Sequence, residues 1–596
     1  MQSFLAILGG ITAFSLLISV YMTVKQKFRK RMILFVWLSS VLQILIFIFA
    51  LLLCGAMEQN TEVPSASAPT QTTAAVETGP LTTATIPVAE DPRMDFSPAP
   101  CEDSDPAVFD MTWDIGQGEE ILTDYFREHP ISFSLDETYF VLPGISTFRG
   151  SNYRDSASWG TVVVEEENMS VAWQHKIGRL DRSGGCGWTG QPLVVQWDSE
   201  TKAIMTKMYP DKRDKEGLVE VIYATLDGYI HFYDLEDGTP TRDAIDMGMN
   251  FKGGGTLDPR GYPLLYVGAG LYTNGASPRI FVVNLITGKI IYQYGNNDSF
   301  AHRDWCAFDA APLVDGDSDT LIWPGENGVL YTFKLNTRYD KAAGTISVTP
   351  EEPVKTRYTS HHSDTGRYIG YEASPVIVDH YLYTCENGGL MHCVDLNTME
   401  LIWAQDLGDD ADSTPVFQWG DDGRGFLYAA PSLNWTADGH KGNASIYKLD
   451  AATGQILWEH QRNCERYDDI AGGVLGSPIL GRENTDIEGL IIYAIGRTPS
   501  AYQGALVALD MDTGEKIWEI PTGNYTWSSP VAMYNENGDA YIFLANASGV
   551  CRLIDGSTGQ VLDILDLDET VEASPVAFGN ILVIGSREKV YGIKIS

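Results

Sequence analysis

The chain has 596 residues, 41 of them basic and 79 acidic, for a formal net charge of −38. A field of that sign repels nucleic acid and anionic lipid and suits solubility in an exposed compartment. The eight cysteines show no C-x-x-C spacing and no adjacent pair, so they offer no obvious disulfide framework.

Residues 3–24 and 32–56 are two apolar runs, each long enough to cross a bilayer as a helix. KQKFRKR at 25–31 separates them with five positive charges. The positive-inside rule places that loop in the cytoplasm and both flanks outside. A cleaved signal peptide fits less well, because the charges follow the first apolar run instead of preceding it. Residues 1–57 are therefore expected to be a two-helix membrane anchor. Residues 58–100, rich in Thr, Ala, Pro and Ser, read as a flexible spacer that cannot form a core. A lead segment over 101–168 follows. Within it GEEILTDYFREHP at 118–130 suits one amphipathic helix stopped by Pro130, and the segment is expected to pack on the rim of what comes next.

From residue 169 onward the chain repeats itself. VALDMDTGEKIWEI at 507–520 returns as IYKLDAATGQILWE at 446–459, MHCVDLNTMELIWA at 391–404 and IFVVNLITGKIIYQ at 280–293. Weaker copies stand at 551–564 and 230–243. In VALDMDTGEKIWEI two alternating strands flank a turn in which Asp510 can bond backbone donors and Gly514 permits positive φ, and the copies repeat that hairpin. Upstream of the copies lie further strand pairs that open on a small residue and Pro: APLVD at 311, SPVIV at 374, SPILG at 477, SPVAF at 574 and others. Proline at the first residue of an edge strand forfeits no ladder bond. Each unit is thus four antiparallel strands, A to D, which is a propeller blade, and eight openings give eight blades. The last unit ends at Ser596 after strand C. SVAWQHKI at 170–177, with Trp173 in the repeat's Trp position, supplies its missing strand D. The fold class is an all-β, eight-bladed β-propeller over 169–596.

The A-x-D-x-x-T-G-x-x-x-W pattern at 508–518 resembles the tryptophan-docking repeat of the PQQ-like, or quinoprotein, β-propellers. That resemblance implies the fold. It extends to eight-bladed quinoprotein dehydrogenases and to the propeller lipoprotein of outer-membrane assembly, so it does not fix a function. In the dehydrogenases it implies a vicinal Cys–Cys disulfide over the quinone, a Glu/Asn/Asp calcium cluster and an Asp base. This chain has no Cys–Cys dipeptide, and no position could be matched to the cluster or the base. PQQ is accordingly not expected, and no cofactor is expected apart from a candidate calcium loop. In that loop Asp315, Asp317 and Asp319 have the 1-3-5 spacing of calcium sites. Glu326 falls at position 12, but TLIW between them reads as a strand that carries it to the far end of the blade. A three-Asp calcium loop and a solvated acidic hairpin both remain open.

Loop length accumulates on one face. The B–C and D–A connections at 178–190, 295–309, 350–372, 431–445 and 460–474 are long, whereas most C–D turns are minimal. They carry Trp188, Arg303, Trp305, Arg357, His361, His362, Trp435 and Tyr467, residue types that anchor interfaces. The function expected is a membrane-anchored extracellular scaffold that binds a cell-envelope glycan or a protein partner through this face. The alternative is an extracellular quinoprotein-type dehydrogenase. If the topology holds, protease added to intact cells releases the ring by cutting within 58–100. Full protection of the ring there removes the assignment.

Overall fold

The computed structural model describes residues 91–135, 139–187, 190–295, 297–363, 368–468 and 470–596. The expected anchor and most of the spacer lie outside these residues. Among the described residues no helix is long and apolar enough to cross a membrane. Residues 91–100, expected within the spacer, are docked on the ring: Ala99 N donates to Ala452 O at 2.9 Å, and Phe96 packs edge-on against Tyr381 and Trp419.

Eight antiparallel blades follow one another in chain order among these residues. Blade 4 is typical, with strands Val376–Val378, Tyr381–Cys385, Leu390–Asp395 and Leu401–Asp406. The last blade closes as expected. Met169–Lys176 pairs with Lys589–Ile595, Trp173 opposite Gly592, so the first strand of the ring completes the eighth sheet and removes an open edge.

The Trp and the T-G of the repeat explain each other. Trp173, Trp403, Trp458 and Trp518 each donate Nε1–H to a carbonyl of the next blade: Leu235, Ala451, Met511 and Gly556, at 2.8–3.1 Å. Each acceptor directly follows the Asp of the receiving turn. The same rings lie flat over the turn glycine: a Cβ on Gly514, whose φ is +70°, would meet Trp458 at 2.8 Å. Glycine is needed twice there, for its positive φ and for the neighbour's indole. Asp510 Oδ1 holds the turn by accepting from the backbone N–H of Asp512 and Thr513.

The lead segment departs from expectation in two ways. Residues 118–130 form no helix. Thr112–Gln117 adds to the outer edge of blade 3 and Glu120–Leu122 pairs with it in turn, because an available sheet edge outcompetes an isolated turn of helix. The segment also does not stop at the rim. Gly144–Ile145 pairs with strand A of blade 1 and Ser158–Trp159 with strand A of blade 8, and the residues between them run across the inner edges of the ring. There Leu257, Ile377, Phe417 and Ala577 donate their N–H groups to Ser146, Asn152, Tyr153 and Ala157. Arg149 and Arg154, 2% and 0% exposed, supply the opposite half. Arg149 donates to Pro530 O and Pro478 O at 2.7 and 2.5 Å, and Arg154 to Pro375 O and Ala311 O at 2.8 and 2.9 Å. Burial lowers the two guanidinium pKa values to about 10 and about 9, so both stay charged at neutral pH.

Trp173→Ala removes a packed indole and its bond at the closing seam. The expected loss is about 3–5 kcal/mol in denaturant unfolding. An unchanged midpoint shows that 169–176 does not close the ring.

Candidate functional site

Strands A begin at the inner edge of the ring, and the residues just before them face its axis. In four blades an acid stands three places before the Pro: Asp309 before Pro312, Glu372 before Pro375, Asp412 before Pro415 and Glu572 before Pro575, the last bound to Arg587 and Tyr525. The B–C turns of blades 3 and 4 add Glu326 and Glu386, each in an E-N-G sequence, and Asp410 lies two residues before Asp412. These segments bring the acids to the long-loop side of the threaded segment. A cavity of about 20 Å³ lies there, lined by Phe148, Asp309, Glu372 and Asp412 among others. That is room for one water or ion.

The cluster holds one internal cation. Lys252 Nζ makes a short ion pair with Asp309 and lies 3.5 Å from Glu326 Oε1. Glu326 also accepts a short hydrogen bond from Trp305 Nε1. Asn387 Nδ2 bridges Glu372 (3.4 Å) and Asp410 (3.2 Å), and Asn434 Nδ2 reaches Asp410 at 2.7 Å. Burial dominates the electrostatics. It pushes Glu326 up to about 8, with Lys252 opposing and Asp309 adding to the rise. Burial likewise takes Glu372 and Asp410 to about 7, and raises Asp309 and Asp412. Lys252 is held charged by Asp309 and Glu326 against the pull of burial.

Among the described residues four buried oxygens here accept from no amide, amine or hydroxyl group: Asp309 Oδ1, Glu326 Oε1, Asn387 Oδ1 and Asp412 Oδ1, although a proton on Glu326 can be shared with Asp309. Native proteins rarely leave such atoms unpaired unless a water or an ion completes them. Asp309, Glu326 and Glu372 each offer an oxygen within 4.8 Å of the others. Oxygens bound to calcium at about 2.3–2.6 Å lie no more than about 5 Å apart, so this set fits a divalent cation of that size.

The residues expected from sequence distribute unevenly. Arg303 and Trp305 serve the cluster directly, since Arg303 Nη1 fastens Glu326 O and Ile369 O at 3.0 and 2.8 Å. Trp435 donates to Asn387 O at 3.3 Å and packs against His362, beside His361. Arg357 is elsewhere: it lies in strand D of blade 3, bound to Asp114 and Phe300 O, because the lead strand covers that edge. Tyr467 packs on Tyr502 beyond an extended hairpin of blade 5, whose ten-residue strands occupy part of the expected loops. Trp188 lies outside the described residues. In the three-Asp loop Asp315 and Asp319 are engaged within the fold, and Asp317 is exposed. Asp315 accepts from Ser318 N at 3.0 Å, and Asp319 pairs with Arg260 at 2.8 Å and accepts from Thr337 N. Lys252, Asp309, Glu326, Glu372, Asn387, Asp410 and Asp412 were not anticipated. For Asp309, Glu372 and Asp412 the signal that could have found them is the acid recurring three places before a strand-opening Pro, and for Glu326 and Asn387 the shared E-N-G turn.

Comparison with known proteins agrees with the fold. The family model for outer membrane protein assembly factor BamB matches residues 342–595. A quinohemoprotein alcohol dehydrogenase of Comamonas testosteroni is 28% identical over 158 residues, which is 25% of this chain and 19% of that protein. The chain thus spans about a fifth of that relative's length. The structure of a quinohemoprotein alcohol dehydrogenase from Pseudomonas putida shares the fold at TM-score 0.52 and 13% identity, over 79% of this chain and 83% of that one. BamB from Moraxella catarrhalis aligns at TM-score 0.42 and 16% identity, over 72% of this chain and all of that one. The chain has an eight-bladed quinoprotein-like propeller fold. The expectation of no cofactor, with PQQ set aside, is corrected by two findings. A sequence relative is itself a quinohemoprotein, and a cation-sized acid cluster exists where none had been assigned.

An acid whose pKa rises on folding keeps its proton where the unfolded chain has already lost it. Stability therefore falls as pH climbs from the ordinary carboxylate range, about 4, to about 8, and levels off above. Between pH 5 and 8 the expected fall from Glu326 is on the order of 1–3 kcal/mol. Glu326→Gln flattens that slope in melts across this range. An identical slope in the variant shows that Glu326 does not titrate as described.

Proposed function

We propose that the protein is a quinoprotein-type oxidoreductase, anchored at the cell membrane with its ring outside, whose site is the acid-lined mouth of the channel. The observation that carries this reading is the buried group of carboxylates with unpartnered oxygens above Phe148. The sequence relation to a quinohemoprotein alcohol dehydrogenase supports it more closely than the match to an assembly factor supports a scaffold. Bound, a quinone supplies a two-electron acceptor and calcium a Lewis acid.

The chain's own residues have definable tasks in this reading. Asp309, Glu326 and Glu372 hold the cation, and Lys252 and Arg303 offer positive charge to an anionic cofactor beside them. Trp305 and Asn387 fix the carboxylates that would otherwise rotate away. With Asp309, Glu326 and Glu372 on the cation, Asp412, which also lines the cavity and whose carboxyl pKa burial raises, would be the group placed to exchange a proton with a substrate hydroxyl. Phe148 and the threaded segment behind it close the far side and exclude bulk water.

The scaffold reading keeps one observation of its own, the assembly-factor family model over the second half of the ring. There the same rim, with Trp305 and Trp435, would meet a glycan or a protein partner. The two separate on adding PQQ and calcium to the purified full-length protein. The expected result is one bound quinone per chain, visible in absorbance, a raised melting temperature and dye reduction with an alcohol. Asp309→Asn and Glu326→Gln should weaken all three by at least about tenfold. No quinone absorbance and no calcium-dependent shift would return the function to recognition.

A further inference from the structure

The rim beside the mouth carries a second cluster of different chemistry. His361 and His362 follow strand D of blade 3, Val354–Thr359, and Asp406 ends strand D of blade 4. The Nε2 atoms of the two histidines face each other at 2.8 Å, and Asp406 Oδ2 lies 3.9 Å from Nε2 of His362. All three donor atoms fall within 4.8 Å of one another.

The neighbours hold these groups in place. His361 N donates to Phe109 O at 2.9 Å, and its ring stacks on Phe109 at 5.8 Å with 28° between planes. The His362 ring packs on Trp435 at 5.3 Å. Asp406 Oδ1 accepts from Gly408 N at 2.7 Å, which fixes the carboxylate and leaves Oδ2 on the imidazole side. Contacts of this kind orient ligands before a metal arrives, and their cost is then not charged to binding.

We propose that His361, His362 and Asp406 form a site for a borderline transition-metal cation, zinc(II) by preference, with a fourth position open to water. Ligands at about 2.0–2.1 Å from a tetrahedral zinc stand about 3.3 Å apart. The imidazole pair must open by about half an ångström, and the carboxylate must close by about the same amount. Small side-chain rotations suffice for both. Two imidazoles select zinc, copper or nickel over calcium and magnesium, whereas the all-oxygen cluster in the channel has the opposite preference. The two sites are thus chemically distinct, although Trp435 and Asn387 join them: Trp435 touches His362 and bonds Asn387, and Asn387 bonds Glu372 and Asp410. A metal at the rim would fix the His362–Trp435 wall of the mouth. The site does not depend on the quinoprotein reading.

Cobalt(II) titrated into the full-length protein tests this, because tetrahedral cobalt shows visible d–d bands and zinc displaces it. One cobalt per chain is expected, with the dissociation constant raised at least about tenfold in each of His361→Gln, His362→Gln and Asp406→Asn. Asp309→Asn, which alters only the channel cluster, should leave the bands in place. Absence of bands in the wild-type protein overturns the site. So do bands that survive both histidine substitutions, or bands lost in Asp309→Asn. Each of these outcomes leaves the quinone and calcium experiment standing on its own result.

Discussion

The inner edges of a closed ring present a problem that no blade can solve alone. Each strand A has one neighbour, strand B, and turns its other side toward the axis, so its N–H and C=O groups need partners there. Proline removes one donor per blade but leaves the carbonyl. The residues between 144 and 159 answer both needs. Their carbonyls take the edge N–H groups of Leu257, Ile377, Phe417 and Ala577, and Arg149 and Arg154 donate to the carbonyls of Ala311, Pro375, Pro478 and Pro530. Arginine suits the task because its fixed fork can reach two blades at once. Around this centre the hydroxyls of Ser374, Thr414, Ser529 and Ser574, each one place before a Pro, stitch neighbours together: Ser374 Oγ accepts from Ala311 N, Thr414 Oγ1 from Ser374 N, Ser529 Oγ from Ser477 N and Ser574 Oγ from Ser529 N. The threaded segment is therefore part of the ring's core, and it divides the channel into two ends.

Much of the ring was legible because its information is local and repeated. The Asp, the Gly and the Trp lie within nine residues of each other, and their meaning is the same in every copy. Trp518 against Gly559 is the contact of Trp458 against Gly514, one blade on. The closing strand was readable for the same reason, since Trp173 stands in the repeat's Trp position. The lead segment was not readable, because nothing in GISTFRGSNYR states that Arg149 and Arg154 will find carbonyls more than 150 residues away. An amphipathic pattern at 118–130 was equally misleading. Glu120–Leu122 instead pairs with the lead strand that edges blade 3, and local periodicity gives way when a sheet edge is on offer.

The site shows the same division. Arg303, Trp305 and Trp435, singled out by loop length and residue type, each lie one contact from the acids. The acids themselves were missed because the cluster is assembled from several blades, with Asp309, Glu372 and Asp412 separated by 63 and 40 residues. Arg357 failed for the converse reason. Its loop is a strand, and the charge that looked available is bound to Asp114 across the added edge.

An imbalance of charge gives the mouth its chemistry. Among the described residues Lys252 sits within the group of Asp309, Glu326, Glu372, Asp410 and Asp412 with Arg303 beside it, and burial makes full ionisation of all five costly. The folded chain meets that cost with protons, which is why several of these carboxyls stay protonated near neutral pH. A divalent cation offers the other solution, since it stabilises the ionised oxygens and releases the protons as it binds. The site is thus poised between two forms, one loaded with protons and one with metal. The ion that enters decides how many of these carboxylates are left to act as bases. Glu326 and Asp309, nearest Lys252, are the ones whose charge the lysine already supports. Asp412 lines the cavity without belonging to the three-oxygen set of Asp309, Glu326 and Glu372, so a cation held by that set leaves its carboxyl outside the coordination.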